Sequence, residues 1–234
     1  MIDIHAHIIP GVDDGSKSME MSREMMLMAY EQGVRAFFAT PHSSAFDRGS
    51  DKTMESFWEL QAMVKDFLPD VDIYLGCEVT CEPRRMDRVK KALFKGQYPT
   101  MNTPPYVLIK FPMNIAPEDT LPCIKALRKV GWKPIIAHME HYERLVNNSV
   151  LAEQLRETNC LIQINACSLY DEADENIKSW ARQLIRGKKW ISSGRICTVS
   201  TIDLPWLKMA LNGSMIIAKK IMRMQHLSAM PGGF

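Results

Sequence analysis

Short β-branched segments alternate with longer amphipathic segments along most of this 234-residue sequence. This alternation constrains the fold more than any other feature, because strands joined by helices build a parallel sheet with helices packed on it. The predicted strands are Met1–His5, Val34–Thr40, Val71–Gly76, Tyr106–Lys110, Pro134–His138 and Cys160–Asn165. The predicted helices are Ser18–Gln32, Thr53–Phe67, Arg85–Lys95, Pro117–Val130, Ser149–Thr158 and Asp174–Arg186. The pattern predicts an α/β fold.

The composition argues against several classes of protein. The net charge of +2 leaves no polybasic stripe, so neither nucleic acid nor an anionic membrane surface is indicated as a partner. No apolar run approaches the roughly 18 to 20 residues that span a bilayer. The six cysteines lack zinc-knuckle spacing and are predicted to be buried or free reduced thiols. Functional residues as early as position 5 leave no room for a signal peptide, and we expect a cytoplasmic protein.

Polar side chains follow the predicted strands. His5 and His7 are two residues apart, so a strand presents both imidazoles on one face, where they can bind the same metal ion. Two ordinary histidines near a chain terminus are the alternative reading of this pair alone. His42, Glu78 and His138 close later strands. Because catalytic residues of parallel barrels lie at the carboxyl ends of the strands, these side chains are predicted to converge on one mouth.

The first predicted helix is rich in methionine, which fits either an adaptable groove for a partner or packing against the sheet. Met21, Met25 and Met28 share one helical face. This face favours packing, because methionine fills irregular gaps in a core.

With these positions identified, the chain resembles the polymerase-and-histidinol-phosphatase (PHP) family, and within it the bacterial metal-dependent protein-tyrosine phosphatases that regulate capsule and exopolysaccharide synthesis. The resemblance implies a distorted TIM-like (β/α)7 barrel holding a cluster of two or three divalent ions, most often manganese, with iron or zinc as alternatives. Asp14 is one of the metal ligands that the resemblance implies, and Asp13 is the alternative to it. The segments that carry the resemblance are residues 1–16, 39–43, 76–80, 106–115, 135–149 and 163–169. The implied metal ligands are His5, His7, Asp14, His42, Glu78 and His138.

The resemblance also implies a reaction and a partner. Bound metal ions supply hydroxide near neutral pH and stabilise the displacement at phosphorus, so the expected activity is hydrolysis of protein phosphotyrosine. The expected substrate is the phosphotyrosine tail of a bacterial tyrosine kinase. Another phosphoesterase of the same family, such as a histidinol phosphatase or a polymerase-associated nuclease, is one alternative. A catalytically inactive phosphotyrosine-binding protein is another.

Two substitutions depart from the family pattern. Lys110 stands where the family has a glutamate that binds the metal ions, and a charged lysine has no lone pair to donate. Its ammonium group can instead take the place of a cation. His141 stands where the family usually has an arginine that binds phosphate through two hydrogen bonds, which a histidine replaces only weakly. These substitutions predict impaired activity.

The resemblance ends at Lys189, which divides the chain into a PHP barrel domain over residues 1–189 and an out-of-family tail over residues 190–234. A metal-binding Asp-x-His motif is expected after Lys189, and the tail lacks it. Reading the bases one position out of frame can turn residues 190–206 into VDFIGTDMHRFDHRPPM, which contains that motif. We therefore predict a frameshift, for which the loss of one adenine in the Lys188-Lys189 codons suffices. We expect the fold to be incomplete, and the chain poorly ordered or wrongly packed, from about residue 195.

Overall fold

The computed structural model describes residues 1–101, 106–169, 173–186 and 196–199. Within these ranges the chain alternates strands and helices. The strands are β1 (Ile2–Ala6), β2 (Ala36–Ala39), β3 (Asp72–Leu75), β4 (Glu78–Thr80), β5 (Tyr106–Lys110), β6 (Lys133–Ile136), β7 (Leu161–Asn165) and β8 (Ile196–Val199). The helices are α1 (Met19–Glu31), α2 (Ser43–Phe67), α3 (Met86–Phe94), α4 (Pro117–Lys129), α5 (Glu143–Val146), α6 (Ser149–Glu157) and α7 (Glu175–Arg186). None of the helices in the described ranges combines the length and apolar character needed to cross a membrane.

The strands form two parallel sheets, one in the order β1-β2-β3 and the other in the order β4-β5-β6-β7-β8. A single β-bridge between His42 and Glu78 joins the end of β2 to the start of β4 and so links the sheets. At the other side, β8 lies beside β1. The predicted α/β fold with parallel strands is confirmed.

One apolar cluster draws side chains from both sheets. Ile4 of β1, Phe38 of β2, Leu108 of β5, Ile135 of β6 and Leu161 of β7 are all buried within it. Burial of each such side chain contributes about 1.5–3 kcal/mol, so the cluster holds the two sheets against each other. The carboxyl ends of β1, β2, β5 and β6 are thereby brought to one rim.

Two elements near this rim differ from the sequence-based expectation. Helix α2 begins at Ser43 rather than Thr53, and its polar first segment joins the remainder across a kink at Gly49. The predicted third strand ends at Leu75, and Glu78 opens β4 instead of closing β3. Gly76 permits the break, because a Cβ atom there would lie 3.0 Å from the Thr40 side chain.

The predicted packing face of α1 is wrong for Met21 and Met28, which are exposed. Met25 packs against the core while partly buried, and Met26 is fully buried. The neighbouring turn is anchored by Ser22, whose hydroxyl donates to the carbonyl oxygen of Ile8 at 2.7 Å. This hydrogen bond turns the Ser22 and Met26 side of the helix toward the core.

Four residues of the predicted tail form β8, a parallel strand hydrogen-bonded to β7. A parallel strand needs only main-chain partners on its neighbour, and β7 offers these to any sequence without proline. The rest of the predicted tail, residues 190–195 and 200–234, lies outside the described residues.

The described cysteine side chains are free thiols. Cys77, Cys81 and Cys123 are buried, Cys160 is half-buried and Cys167 is exposed. Burial holds the pKa of the Cys77 and Cys81 thiols well above its ordinary value. These two thiols are therefore poor nucleophiles.

Candidate metal centre

Five predicted ligands meet at the rim around the fully buried carboxylate of Glu78. Its Oε1 atom lies 2.9 Å from Nε2 of His138 and 3.4 Å from Nε2 of His5. Its Oε2 atom contacts Nδ1 of His42 and lies 3.9 Å from Nε2 of His7. The structure thus brings together four histidines and one glutamate that are far apart in the sequence.

The surrounding imidazoles keep Glu78 ionised. Burial by itself would raise the pKa of this carboxyl group, but its contacts with the imidazoles of His138, His42 and His5 outweigh burial and hold the pKa below its ordinary value. The buried Oε2 atom makes no hydrogen bond of good geometry within the described residues. A buried carboxylate oxygen in this state is costly without a nearby cation, and the Lys110 ammonium lies 3.4 Å from it.

The protonated nitrogen of the His7 ring is identified by its partner. Nδ1 lies 2.7 Å from Oδ2 of Asp13. The two oxygens of Asp13 also accept the backbone N–H groups of Gly15, at 2.9 Å, and His42, at 3.0 Å. The hydrogen bond to His7 and these backbone donors outweigh burial and lower the pKa of Asp13 to about 2, so the carboxylate is an acceptor. His7 therefore carries its proton on Nδ1 and a lone pair on Nε2.

The same reasoning applies to His5, whose Nδ1 atom lies 3.0 Å from Oε1 of Gln163. That oxygen also accepts the backbone N–H of His138, which leaves Nδ1 of His5 as the donor. The Nε2 atoms of His5 and His7 then face each other with lone pairs at 3.1 Å. Two lone pairs at this distance repel unless a metal ion or an additional proton lies between them.

Asp14 and Asp13 take different positions in the loop after β1. Asp14 is 80% exposed, and its Oδ1 atom lies 2.9 Å from Nε2 of His42. Asp13 instead lies behind His7 and orients its ring, as carboxylates commonly do for metal-binding histidines. Gly15 lets this loop fold back on His7, because a Cβ atom at Gly15 would lie 2.3 Å from the His7 carbonyl oxygen.

His42 is a second group that a nearby positive charge stabilises. Both of its ring nitrogens face carboxylate oxygens, one from Glu78 and one from Asp14. A neutral imidazole carries a proton on only one nitrogen, so the other meets its carboxylate with a lone pair. A cation beside that nitrogen would remove this conflict.

Lys110 places an ammonium group inside the cluster. Its Nζ atom is 3.0 Å from Nδ1 and 3.3 Å from Nε2 of His42, and 3.4 Å from Oε2 of Glu78. Because it is almost equally distant from both ring nitrogens, the ammonium lies over the face of the imidazole and not along a lone pair. It supplies charge to Glu78 without replacing a ligand–metal bond.

His138 and His141 follow β6 in a tight turn. The backbone of His138 is left-handed, with φ of 35° and ψ of 52°, which costs a non-glycine residue about 1–2 kcal/mol. His141 is packed edge-on against the His138 ring, with ring centroids 5.8 Å apart. Burial, together with the charge of His138, lowers the pKa of His141. His141 thus offers a hydrogen-bond donor to a nearby anion without a lasting positive charge.

Three more residues lie near the ligands: Gln163 and Glu140 were not predicted as site residues, and Asp13 was predicted only as an alternative ligand to Asp14. Gln163 and Asp13 orient the His5 and His7 rings. Glu140 is buried, accepts hydrogen bonds from Ser168 at 2.7 Å and the Asn165 backbone at 2.9 Å, and has a pKa raised by burial to about 7. All three residues carry an amide or carboxylate and follow or lie on a predicted strand, and this is the only sequence signal they share.

Two overlapping sets of donors could each hold a metal ion, and His7 belongs to both. Within each set, one ligand atom from every residue lies within 4.8 Å of those of the others. The mixed imidazole and carboxylate donors suit manganese, iron or zinc better than calcium. One set comprises His5, His7 and Glu78, and the other comprises His7, Asp13, Asp14 and His42.

Two known phosphatases are similar to this chain in sequence. The tyrosine-protein phosphatase CpsB of Streptococcus pneumoniae is 34% identical over 168 residues, which are 71% of this chain and 68% of that protein. The tyrosine-protein phosphatase YwqE of Bacillus subtilis strain 168 is 30% identical over 188 residues, covering 79% of this chain and 72% of that protein.

The fold agrees as well. A chain from the crystal structures of YwqE and CpsB, described as unique metal-dependent tyrosine phosphatases, superposes with a TM-score of 0.65 at 24% identity. The match covers 94% of this chain and 87% of that chain. A family model for capsular polysaccharide synthesis proteins CpsB/CapC matches residues 1–194, so this chain belongs to the CpsB/CapC family.

Proposed function

We propose that this chain is a metal-dependent phosphatase by descent that removes phosphate from protein phosphotyrosine in the control of capsule or exopolysaccharide synthesis. The observation that carries the proposal is the close approach of the Nε2 atoms of His5 and His7, 3.1 Å apart beside the buried carboxylate of Glu78. The relatives CpsB and YwqE are tyrosine-protein phosphatases, which favours this activity over that of a histidinol phosphatase.

The proposed metal ligands are the residues whose donor atoms face the interior of the rim. Asp14 is preferred to Asp13 because Asp13 is already engaged by His7 and two backbone N–H groups. When bound, divalent ions such as manganese would supply an activated water and neutralise charge on the phosphoryl oxygens. The proposed ligands are His5, His7, Asp14, His42, Glu78 and His138.

The remaining residues of the site act on the ligands or the substrate. Asp13 and Gln163 hold the His7 and His5 rings so that Nε2 of each faces inward. The proposed role of His141 is to donate one hydrogen bond to phosphate. The proposed substrate is the phosphotyrosine tail of a bacterial tyrosine kinase, a partner that fits a cytoplasmic location.

We expect purified chain to bind manganese and to release phosphate from a phosphotyrosine peptide faster than from histidinol phosphate. Phosphate release and metal content by mass spectrometry would be measured on the same samples, before and after chelation. Two ions per chain with turnover that chelation abolishes support the phosphatase. Turnover that survives chelation contradicts it.

One observation favours a second candidate, an inactive phosphotyrosine-binding protein. The ammonium of Lys110 lies 3.4 Å from Glu78, where it opposes the approach of a divalent cation. Peptide binding without turnover, at one ion or fewer per chain, would support this candidate.

The two sheets are proposed to be parts of one distorted TIM-like PHP barrel. The bridge between His42 and Glu78, the apolar cluster shared by both sheets and the position of β8 beside β1 support a closed arrangement. The described residues contain eight strands, whereas the resemblance implies a (β/α)7 barrel, and β4 is a short strand of three residues opened by Glu78.

We also propose that residues 190–234 are read out of frame. The family match ends at residue 194, five residues beyond Lys189, which supports this division of the chain. Sequencing the gene across codons 186–200 is expected to reveal an adenine run at Lys188-Lys189 whose alternative frame encodes Asp-x-His. An alternative frame without these residues contradicts the proposal.

A further inference from the structure

The side chain of Gln163 connects two of the proposed ligands. Gln163 is fully buried on β7, and its Oε1 atom accepts the backbone N–H of His138 at 2.7 Å. The same oxygen lies 3.0 Å from Nδ1 of His5. One carboxamide oxygen therefore touches residues from the ends of β1 and β6.

The orientation of this carboxamide is determined by its neighbours. A backbone N–H can only donate, so the atom facing His138 must be the oxygen. The carboxamide nitrogen then points the other way and donates to Oδ1 of Asn165 at 2.8 Å. Since Oε1 cannot donate, the hydrogen between Gln163 and His5 must belong to Nδ1 of His5.

This assignment determines which nitrogen of His5 is available to a metal ion. With the proton on Nδ1, the lone pair is on Nε2, which faces His7 at 3.1 Å and Glu78 at 3.4 Å. With the proton on Nε2, the ring would turn an N–H toward the same point and exclude a cation. The oxygen of Gln163 also holds the left-handed backbone of His138, whose Nε2 atom faces Glu78.

We propose that Gln163 is a positioning residue, which holds His5 in the tautomer that binds metal and holds the turn at His138. This role rests on the proposed metal-dependent function but concerns a proton position that exists without metal. The contact that supports this role is the 3.0 Å distance between Nδ1 of His5 and Oε1 of Gln163.

The test uses the full chain with ¹⁵N-labelled histidine, free of metal and at a pH where the His5 ring is neutral. Two-bond ¹H–¹⁵N spectra distinguish a protonated ring nitrogen from a bare one. In the wild-type chain and in Gln163→Glu, which keeps an acceptor oxygen, we expect His5 to be protonated on Nδ1. In Gln163→Met, which is similar in size but lacks the oxygen, we expect a substantial fraction protonated on Nε2. A bare Nδ1 in the wild-type spectrum overturns the inference, and so does an unchanged tautomer in Gln163→Met.

Manganese affinity, measured by titration, separates this inference from the proposed function. We expect Gln163→Met to bind about 10–100-fold more weakly than wild type, as is typical when a residue orienting a metal ligand is lost, and Gln163→Glu to stay within about threefold. Thr120→Val is the matched control, because Thr120 is also fully buried and hydrogen-bonded, at 2.6 Å to the Pro117 carbonyl oxygen, but lies on α4. Equal affinity in wild type and Gln163→Met overturns the positioning role. A wild-type chain that binds no manganese contradicts the proposed function, while the tautomer spectra still decide the role of Gln163.

Discussion

Replacing Glu78 with glutamine is expected to abolish metal binding and to destabilise the chain. The carboxylate is fully buried and faces four imidazoles and the Lys110 ammonium. A neutral amide cannot balance the Lys110 ammonium, and its NH₂ group cannot accept the contacts that His138 and His42 make with the carboxylate. Removing one partner of a buried ionic network costs about 3–5 kcal/mol, so the free energy of unfolding should fall by that amount in denaturant titrations.

The control for Glu78→Gln is Glu82→Gln, four residues further along the same segment. Glu82 forms only a partly exposed ion pair with Arg85 at 3.6 Å. Such pairs contribute about 0–1 kcal/mol, so this variant should keep both its stability and its metal content. A Glu78→Gln chain that binds as much metal as Glu82→Gln would exclude Glu78 as a ligand.

Replacing Lys110 with glutamate is expected to produce the largest gain of function. The change removes an ammonium that lies 3.4 Å from Glu78 and 3.0 Å from His42 and adds a carboxylate at the same strand end. Two unit charges 4 Å apart interact by about 4 kcal/mol at the screening typical of partly buried sites, so manganese affinity should rise on the order of 100-fold after allowance for the partial exposure of Lys110. In a chain whose reading frame after Lys189 is restored, turnover of phosphotyrosine peptide should rise together with the manganese affinity.

Two further variants separate the loss of the ammonium from the gain of a ligand. Lys110→Gln removes the charge without adding a carboxylate, and we expect it to recover only part of the affinity. Lys133→Glu makes the same charge change at the start of β6, where the ammonium lies over the Tyr106 ring at 5.3 Å, at the opposite end of the sheet. If Lys133→Glu raises affinity as much as Lys110→Glu, the effect is one of net charge and the proposed role of Lys110 in the cluster is wrong.

The sequence predicted six strands and five helices to within two residues of their bounds, and it did not predict β4, β8, α5 or the first turns of α2. β5 matches its predicted bounds, and β1, β2, β3, β6 and β7 lie within one or two residues of theirs. Short buried strands of β-branched residues have a strong local signal. The first turns of α2 do not, because their serine, aspartate and glycine residues are equally typical of a loop, and only the position of His42 at the rim settles their structure.

The sequence by itself determined the donor chemistry of the site, which consists of imidazoles and carboxylates at strand ends. It also identified Lys110 as the residue that breaks this pattern. Local pattern suffices for this, because strand periodicity decides which side chains share a face. Tertiary structure alone decided that Asp13 lies behind His7 while Asp14 faces His42, and that Gln163 reaches both His5 and His138. Some of these hydrogen bonds give the adjacent Asp13 and Asp14 different positions, and another joins β7 to β1. They connect residues up to 158 positions apart in the chain, and no local pattern encodes them.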